Sequence, residues 1–479
     1  MVGPHLPLMV LAVGMATAVA LHCAAGFHYP VPWDDEAHFL VPAQNLARHL
    51  QLGAPQLNAP AGIFWMPDGY AVVLAVIFAF LPDTETTARL VSLALALMFA
   101  GCLYTVSVRL GDARLGMACA LAVWLVAPLV VLMANIARME ALVLALVGAA
   151  LLCVAAGRWA AALAVVSLTP LVHPMGFALI AAFVLVAVLM RADLHPSGWP
   201  EAALIALTGL AWVAEAAWLA AHLDLVQAHL DYQLARKSSR GLTLSRYEVA
   251  AGLVAAVGLA GAVAARRQLG EQRAVVLATT CAVAGAFVVI QVVGKEMWYR
   301  VLSRETVLLL AALAVAVVWR PGPARVRPLT VALATALALV PIAAMARMTV
   351  NGSAFGMAMS AGTASRDHAF LAVVQRELRA FDARQPQPVV VALDWSSGLT
   401  PFLLQERWRN LRFVDPTPVT PLTRPPDYVL FSVSPAEPDW RRHIEDRIPD
   451  ATPVLHVAFP DSRAALLLYP GDGVRLPLL

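Results

Sequence analysis

From residue 5 to residue 349 the chain is a succession of apolar runs separated by short polar loops. A membrane span takes roughly 20 predominantly apolar residues, because in hydrocarbon every backbone N–H and C=O must be paired within the segment itself. The runs lie at 5–26, 86–109, 113–134, 140–157, 159–173, 175–190, 200–221, 247–265, 274–294, 302–319 and 328–349, which makes about eleven helices. Composition agrees, since 14% of residues are charged against about 25% in a soluble domain. The expected class is a polytopic α-helical membrane protein. A net charge of +3 gives no electrostatic case for a nucleic-acid partner. No Lys or Arg precedes the first run, which is also longer than a signal-peptide core, so an uncleaved first helix is expected. The five cysteines all fall in apolar runs, where buried free thiols are expected rather than disulfides or a zinc site. The stretch 69–82 is apolar but too short to span, and is expected to lie in the interface or to re-enter.

Alternate loops differ in charge. The set 109–114, 157–159, 191–198, 266–273 and 320–327 is rich in arginine and belongs on the cytoplasmic side. The other set, 27–85, 135–139, 173–174, 222–246 and 295–301, must then face outward, and it holds the unusual polar residues. Residues 1–349 form the membrane domain, with 27–85 as a first outer loop carrying juxtamembrane helices. Past residue 350 the pattern changes: 365–385 reads as an amphipathic helix, and "PVVVALDW", "DYVLFSV" and "RAALLLYPG" read as short strands. Residues 350–479 are expected to form a soluble α/β domain on the outer face.

Three acids in a row, Asp34, Asp35 and Glu36, follow the first span, with His38 two residues on. Carboxylates favour the positive end of a helix, which accounts for one or two of them. Glu140 opens another span at the predicted outer face, beside Arg138. An acid there is costly unless it is paired or faces a cavity. His173 lies near the same face, and "GKEMWYRVLSRET" brings Lys295, Glu296, Tyr299, Arg300, Arg304 and Glu305. As an interfacial anchor this last stretch is ordinary; as a cationic cluster it could hold a phosphate. Arg236, Lys237 and Arg240 add positive charge in the loop 222–246. Carboxylates from early loops thus face cations from late loops. A carboxylate base could take a proton from an acceptor hydroxyl while a sugar is displaced from a phosphate stabilised by Lys or Arg. A second acid could orient the acceptor or a divalent metal.

These residues resemble the GT-C integral-membrane glycosyltransferases, in particular the protein O-mannosyltransferase-like branch (glycosyltransferase family 39), which includes the aminoarabinose and galacturonic-acid transferases of lipopolysaccharide. "WDDEAHFLVPAQNLARHLQLG" matches the family's acidic pair after the first helix, and places it at Asp35 and Glu36. "FWMPDGY" matches a Pro-Gly-Tyr-like stretch, Arg138-Met139-Glu140 an Arg-x-Asp motif, and "KEMWYRVLSRETVLLLAAL" a late Tyr-containing outer motif. The resemblance implies a polyprenyl-phosphate-sugar donor, transfer by direct displacement with inversion, and Asp35 as base, with Asp34 as rival and Glu36 and Glu140 in support. Lys295, Tyr299, Arg300, Arg304 and Arg138 are the candidates for the donor phosphate; His38, Tyr70 and His173 are those for substrate contact. The sequence departs from the family in Glu140 for Asp, in the extra Asp34, and in Met66 where some relatives carry a phosphate-binding Lys.

The implied acceptor is a hydroxyl of a glycan, glycolipid or protein, and a divalent cation is compatible with the acid set. The alternative is a secondary transporter or flippase, favoured only by Glu215, which is expected to lie mid-span. An Ala/Arg-rich, Lys-poor composition points to a GC-rich bacterial genome, hence a bacterial inner membrane with the C-terminal domain in the periplasm.

Overall fold

The computed structural model describes residues 5–24, 34–57, 59–110, 114–238, 245–294, 299–318, 361–394, 408–414, 425–433, 444, 448, 452–458 and 465–471, though the side chains of 34–35, 236–238 and 361–371, among others, fall outside the description. The helices are α1 (Leu6–Ala24), α2 (Asp34–His49), α3 (Gly69–Phe78), α4 (Glu85–Leu110), α5 (Arg114–Leu125), α6 (Pro128–Ala134), α7 (Glu140–Ala155), α8 (Trp159–Val166), α9 (Thr169–Val172), α10 (Gly176–Met190), α11 (Trp199–Ala221), α12 (Leu223–Ser238), α13 (Arg246–Ala264), α14 (Arg266–Leu269), α15 (Glu271–Gly294), α16 (Val307–Val318) and α17 (Ala361–Arg384). A π-helical turn, Val301–Thr306, leads into α16. Among the described residues, six stretches are long and apolar enough to cross a membrane: α1, α4, α11, α13, α15 and Val301–Val318. The apolar helices α3, α5, α7, α10 and the stretch 159–172 are shorter. The run 328–349 lies outside the described residues.

Two of the expected spans are broken. The run 113–134 divides into α5 and α6 because Pro128 forces Ala127 out of the helical region, to ψ 140°. The run 159–173 is interrupted by a turn at 167–168 between α8 and α9, where Pro170 sits in the first turn of α9 and lacks the N–H a continuous helix would use.

Helix pairs meet where small residues allow it. α4 lies along α7, and a Cβ on Gly148 would come within 2.8 Å of the Phe99 ring. α1 lies along α5, and a Cβ on Gly14 would come within 2.6 Å of Ala122. With little hydrophobic drive between helices in lipid, such close packing supplies the attraction.

Side-chain contacts sort the loops into two ends, as their charges imply. Arg158 pairs with Glu201 at 3.6 Å, and Gln272 donates to the carbonyl of Ala155, which joins three of the arginine-rich turns. At the opposite end, termed the outer end after the expectation from loop charge alone, α2 is buried nearly all round. Phe39, Leu40 and Ala43 face the bundle, while Ala37 and Val41 pack under Ala54, Leu57, Ala59 and Ile63. Asn45 fastens that loop, donating to the carbonyl of Gly53 at 2.7 Å, and Gln44 donates to that of Asp83 at 2.7 Å.

The C-terminal part holds a five-stranded sheet of β1 (Val389–Asp394), β2 (Leu411–Val414), β3 (Tyr428–Val433), β4 (Leu455–Ala458) and β5 (Ala465–Pro470), in the order β2-β1-β3-β5-β4. β2, β1 and β3 are parallel; β5 and β4 are antiparallel additions. Val389, Val391 and Leu393 alternate onto the face covered by Val374, Leu378 and Phe381 of α17. The three expected strands are β1, β3 and β5; the four-residue β2 and β4 carry too short a pattern to read. β2 lies against the turn Pro55–Leu57, so the sheet shares the outer end with the first outer loop.

Candidate active site

The turn 135–139 between α6 and α7 is where the outer end converges. Asn135 closes α6 and hydrogen-bonds His22 in the last turn of α1. Ala137 donates its backbone N–H to Glu36 Oε1 at 2.6 Å. Arg138 forks onto Glu140, the first residue of α7, with Nε–Oε2 and Nη2–Oε1 both at 3.1 Å. Arg138 is 3% exposed and Glu140 1%. Sequence placed these two beside each other, and they do pair locally.

Glu36 is the acid of the triplet whose side chain is described. Its carboxylate takes Arg89 Nε on Oε1 at 3.0 Å and Arg89 Nη2 on Oε2 at 2.6 Å, besides the Ala137 N–H. Arg89 in turn holds Glu85 at 2.6 Å, one turn back on α4. Glu36 and Arg89 are both 0% exposed. Three N–H donors thus occupy Glu36, so it has an anchoring geometry rather than that of a base. Asp34 and Asp35 open α2 two and one residues before it, and their side chains lie outside the described residues.

Tyr70, in the first turn of α3, is fully buried and bonds Ser92 Oγ at 3.0 Å. Burial raises its hydroxyl pKa above the usual value; the Ser92 bond opposes this, the charges of Glu36 and Glu140 add to it, and that of Arg138 subtracts. Tyr70 is therefore within electrostatic reach of both carboxylate–arginine pairs. Its helix sits tight on α9, since a Cβ on Gly69 would lie 2.3 Å from the carbonyl oxygen of Leu171.

His173, just past α9, accepts the N–H of Met175 on Nδ1 at 3.0 Å, which leaves Nε2 to carry the proton of the neutral ring. The ring meets Tyr299 edge-on at 5.1 Å. Tyr299 is buried and Arg300 exposed. In the π-helical turn, Tyr247 of α13 donates to the carbonyl of Arg304 at 3.3 Å, and Glu305 is buried. Lys295 and Glu296 lie outside the described residues, as does Arg240; the same holds for the side chains of Arg236 and Lys237. His38 packs edge-on against Trp65 at 5.1 Å, beside the loop over α2.

A second cluster joins the first outer loop to α11 and α12. Phe64 stacks on Trp218 at 6.0 Å and contacts His222 at 5.2 Å and His229 at 6.0 Å. Asp68 lies beside Trp218. Burial, then the nearby charge of Glu215, push the Asp68 carboxyl up to about 7, with the neighbouring Trp218 opposing them. Glu215, read as a lone acid within a span, lies in the last two turns of α11 and acts on this cluster.

Sequence reading missed Arg89, Glu85, Ser92, Asn135 and the Phe64 cluster. A signal existed for the first three. Glu85, Arg89 and Ser92 stand at i, i+4 and i+7 of a mostly apolar helix, and a polar stripe on a span faces protein rather than lipid. Among the described residues, no group of three or more His, Cys, Asp or Glu is placed to hold a metal ion.

No protein-family model matches the chain, and no curated protein does. Solved structures of ArnT from Cupriavidus metallidurans do. ArnT bound to undecaprenyl phosphate superposes with a TM-score of 0.55 at 13% identity, over 95% of this chain and 97% of that one. Its apo state gives 0.50 at 14% identity over the same shares. At such identity the likeness speaks for architecture alone: the chain has the GT-C membrane fold that its motifs led one to expect.

Proposed function

We propose that this protein is a membrane glycosyltransferase that moves one sugar from a polyprenyl-phosphate donor to a hydroxyl of a glycan, glycolipid or protein. The observation that carries this reading is the convergence of two buried carboxylate–arginine pairs, Tyr70 and the head of α2 at one end of a GT-C bundle. A neighbour of that fold was solved with undecaprenyl phosphate, the class of lipid the reading requires.

In this reading Asp35, with Asp34 as rival, takes the proton of the acceptor hydroxyl as its oxygen attacks the anomeric carbon. The bond from that carbon to the phosphate oxygen breaks, and its electron pair leaves on the lipid phosphate. Attack opposite the leaving group inverts the anomeric centre. A phosphate leaving group needs little protonation but gains charge, and Lys295, Arg300 and Arg304 around Tyr299 are the cations assigned to it. Glu140 holds Arg138 beside the reaction path. His38, Tyr70 and His173 line the substrate side. The working face is the periplasmic face of a bacterial inner membrane, with residues 350–479 outside it.

The test is sugar transfer by the purified protein in lipid vesicles, from a polyprenyl-phosphate sugar, comparing wild type with Asp35→Asn and Asp34→Asn. Transfer that survives in both variants and in the double variant removes the assigned base. A wild type that moves the lipid or a solute across the vesicle and transfers no sugar would instead favour a flippase or transporter.

A further inference from the structure

We propose that Arg89 is a positioning residue of the reaction, acting through Glu36 to hold the head of α2 in register with the turn 135–139. The proposal rests on the glycosyltransferase reading for its chemistry, but its geometry stands apart from it.

An arginine in the first turns of a span ordinarily snorkels to the headgroups with its tip in water. Arg89 does the reverse and is 0% exposed. Its guanidinium is fixed from two sides, by Glu85 at 2.6 Å on its own helix and by Glu36 at 3.0 and 2.6 Å from α2. A planar fork sets the plane of the carboxylate it grips, which a lysine ammonium cannot do. That same carboxylate then receives the Ala137 N–H at 2.6 Å. One rigid chain therefore runs from α4 through Glu36 to the backbone that carries Arg138 and Glu140. Asp35 and Asp34 are the residues next to Glu36 in α2.

Holding the helix in place needs no such network. α2 is already packed on both faces by apolar side chains and tied at its far end by Gln44 and Asn45. Buried ion pairs replaced by apolar groups often leave a fold as stable or more so. What the charged set adds is a fixed register between the head of α2 and the loop facing it. Reactive groups need that, since a shift of about 1 Å costs on the order of a hundredfold in rate.

The test is a double-mutant cycle on sugar transfer with Glu36→Gln, Arg89→Gln and the pair together, plus Arg89→Lys. Each Gln single is expected to lower kcat roughly a hundredfold with donor KM changed less than about threefold. The double variant is expected within about threefold of the poorer single, because both remove one contact. Arg89→Lys should recover part of the loss, and serves if Arg89→Gln does not fold. Losses that multiply in the double variant, or an Arg89→Lys and Arg89→Gln pair with wild-type kcat beside a dead Glu36→Gln, would overturn the proposal and make Glu36 act on substrate directly. Amide hydrogen exchange over 34–49 and 135–139 is read on the same proteins and is expected to rise in Arg89→Gln. If wild type transfers no sugar, the functional reading fails. The exchange measurement still decides the clasp, and unchanged protection would sink it.

Discussion

The backbone N–H of Ala137 and the carboxylate of Glu36, 101 residues apart in sequence, meet at 2.6 Å. The contact commits one acid of the Asp34–Asp35–Glu36 triplet to structure. It leaves the other two, at the very start of α2, as the carboxylates to which the proposed chemistry falls.

Replacing the base by its amide is therefore expected to lower transfer by about 10²–10⁴-fold, the usual weight of general base catalysis. Asp35→Asn should do so while binding of undecaprenyl phosphate changes little. Single-turnover transfer and a lipid-binding assay on the same preparation separate the two effects. If Asp34→Asn carries the loss instead, the base is Asp34.

Glu140→Gln takes the carboxylate away from a guanidinium that is 3% exposed. Breaking a buried pair from one side costs roughly 3–5 kcal/mol, whereas removing both charges costs much less. Thermal unfolding in detergent should place Glu140→Gln well below wild type, with Arg138→Met/Glu140→Met between them.

Asp68 gives a pH dependence of definite sign. Its carboxyl is pushed from 3.8 up to about 7 in the folded protein, by burial first and by Glu215 second. Below pH 3.8 both folded and unfolded states keep the proton. Between 3.8 and about 7 the unfolded chain loses it first, so this group makes the protein less stable as pH rises, and the effect levels off above 7. The full swing is on the order of a few kcal/mol. Asp68→Asn keeps the side-chain shape without the titrating group and should lack this slope, so the variant gains on wild type as pH rises. Unfolding midpoints taken across that window test it, and parallel curves would contradict it.

Close backbone approach makes two glycines sensitive. A Cβ at Gly69 would meet the Leu171 carbonyl oxygen at 2.3 Å, and one at Gly294 would meet the Tyr299 ring at 2.0 Å. Overpacking of this kind costs about 1–3 kcal/mol. Gly69→Ala should shift α3, and Tyr70 with it; Gly294→Ala should move Tyr299 off His173. Both are expected to lower the unfolding midpoint, and transfer by Gly69→Ala should fall further than its stability loss explains.

Much was legible in the sequence because it depends on local properties. Run length sets which segments span, and arginine distribution sorts the loops into two ends. Contacts such as Phe64–His222, Glu36–Ala137 and His173–Tyr299 then join loops of the arginine-poor set to one another. Arg138 and Glu140, two residues apart, pair as neighbours can. The β1, β3 and β5 strands announced themselves by unbroken apolar patterns. The breaks at Ala127 and before α9 were also written locally, in Pro128 and Pro170, but an apolar run long enough to span masks them.

What only the tertiary structure decided is which charges belong together. Hydropathy and charge around Glu36 do not distinguish it from Asp34 and Asp35. Its partners lie 53 and 101 residues away, on α4 and in the turn after α6. Hydropathy and charge fix where a segment sits along the membrane normal. They carry no information on its rotation about its own axis or on which helix stands beside it, and those two quantities choose the partner of a buried charge.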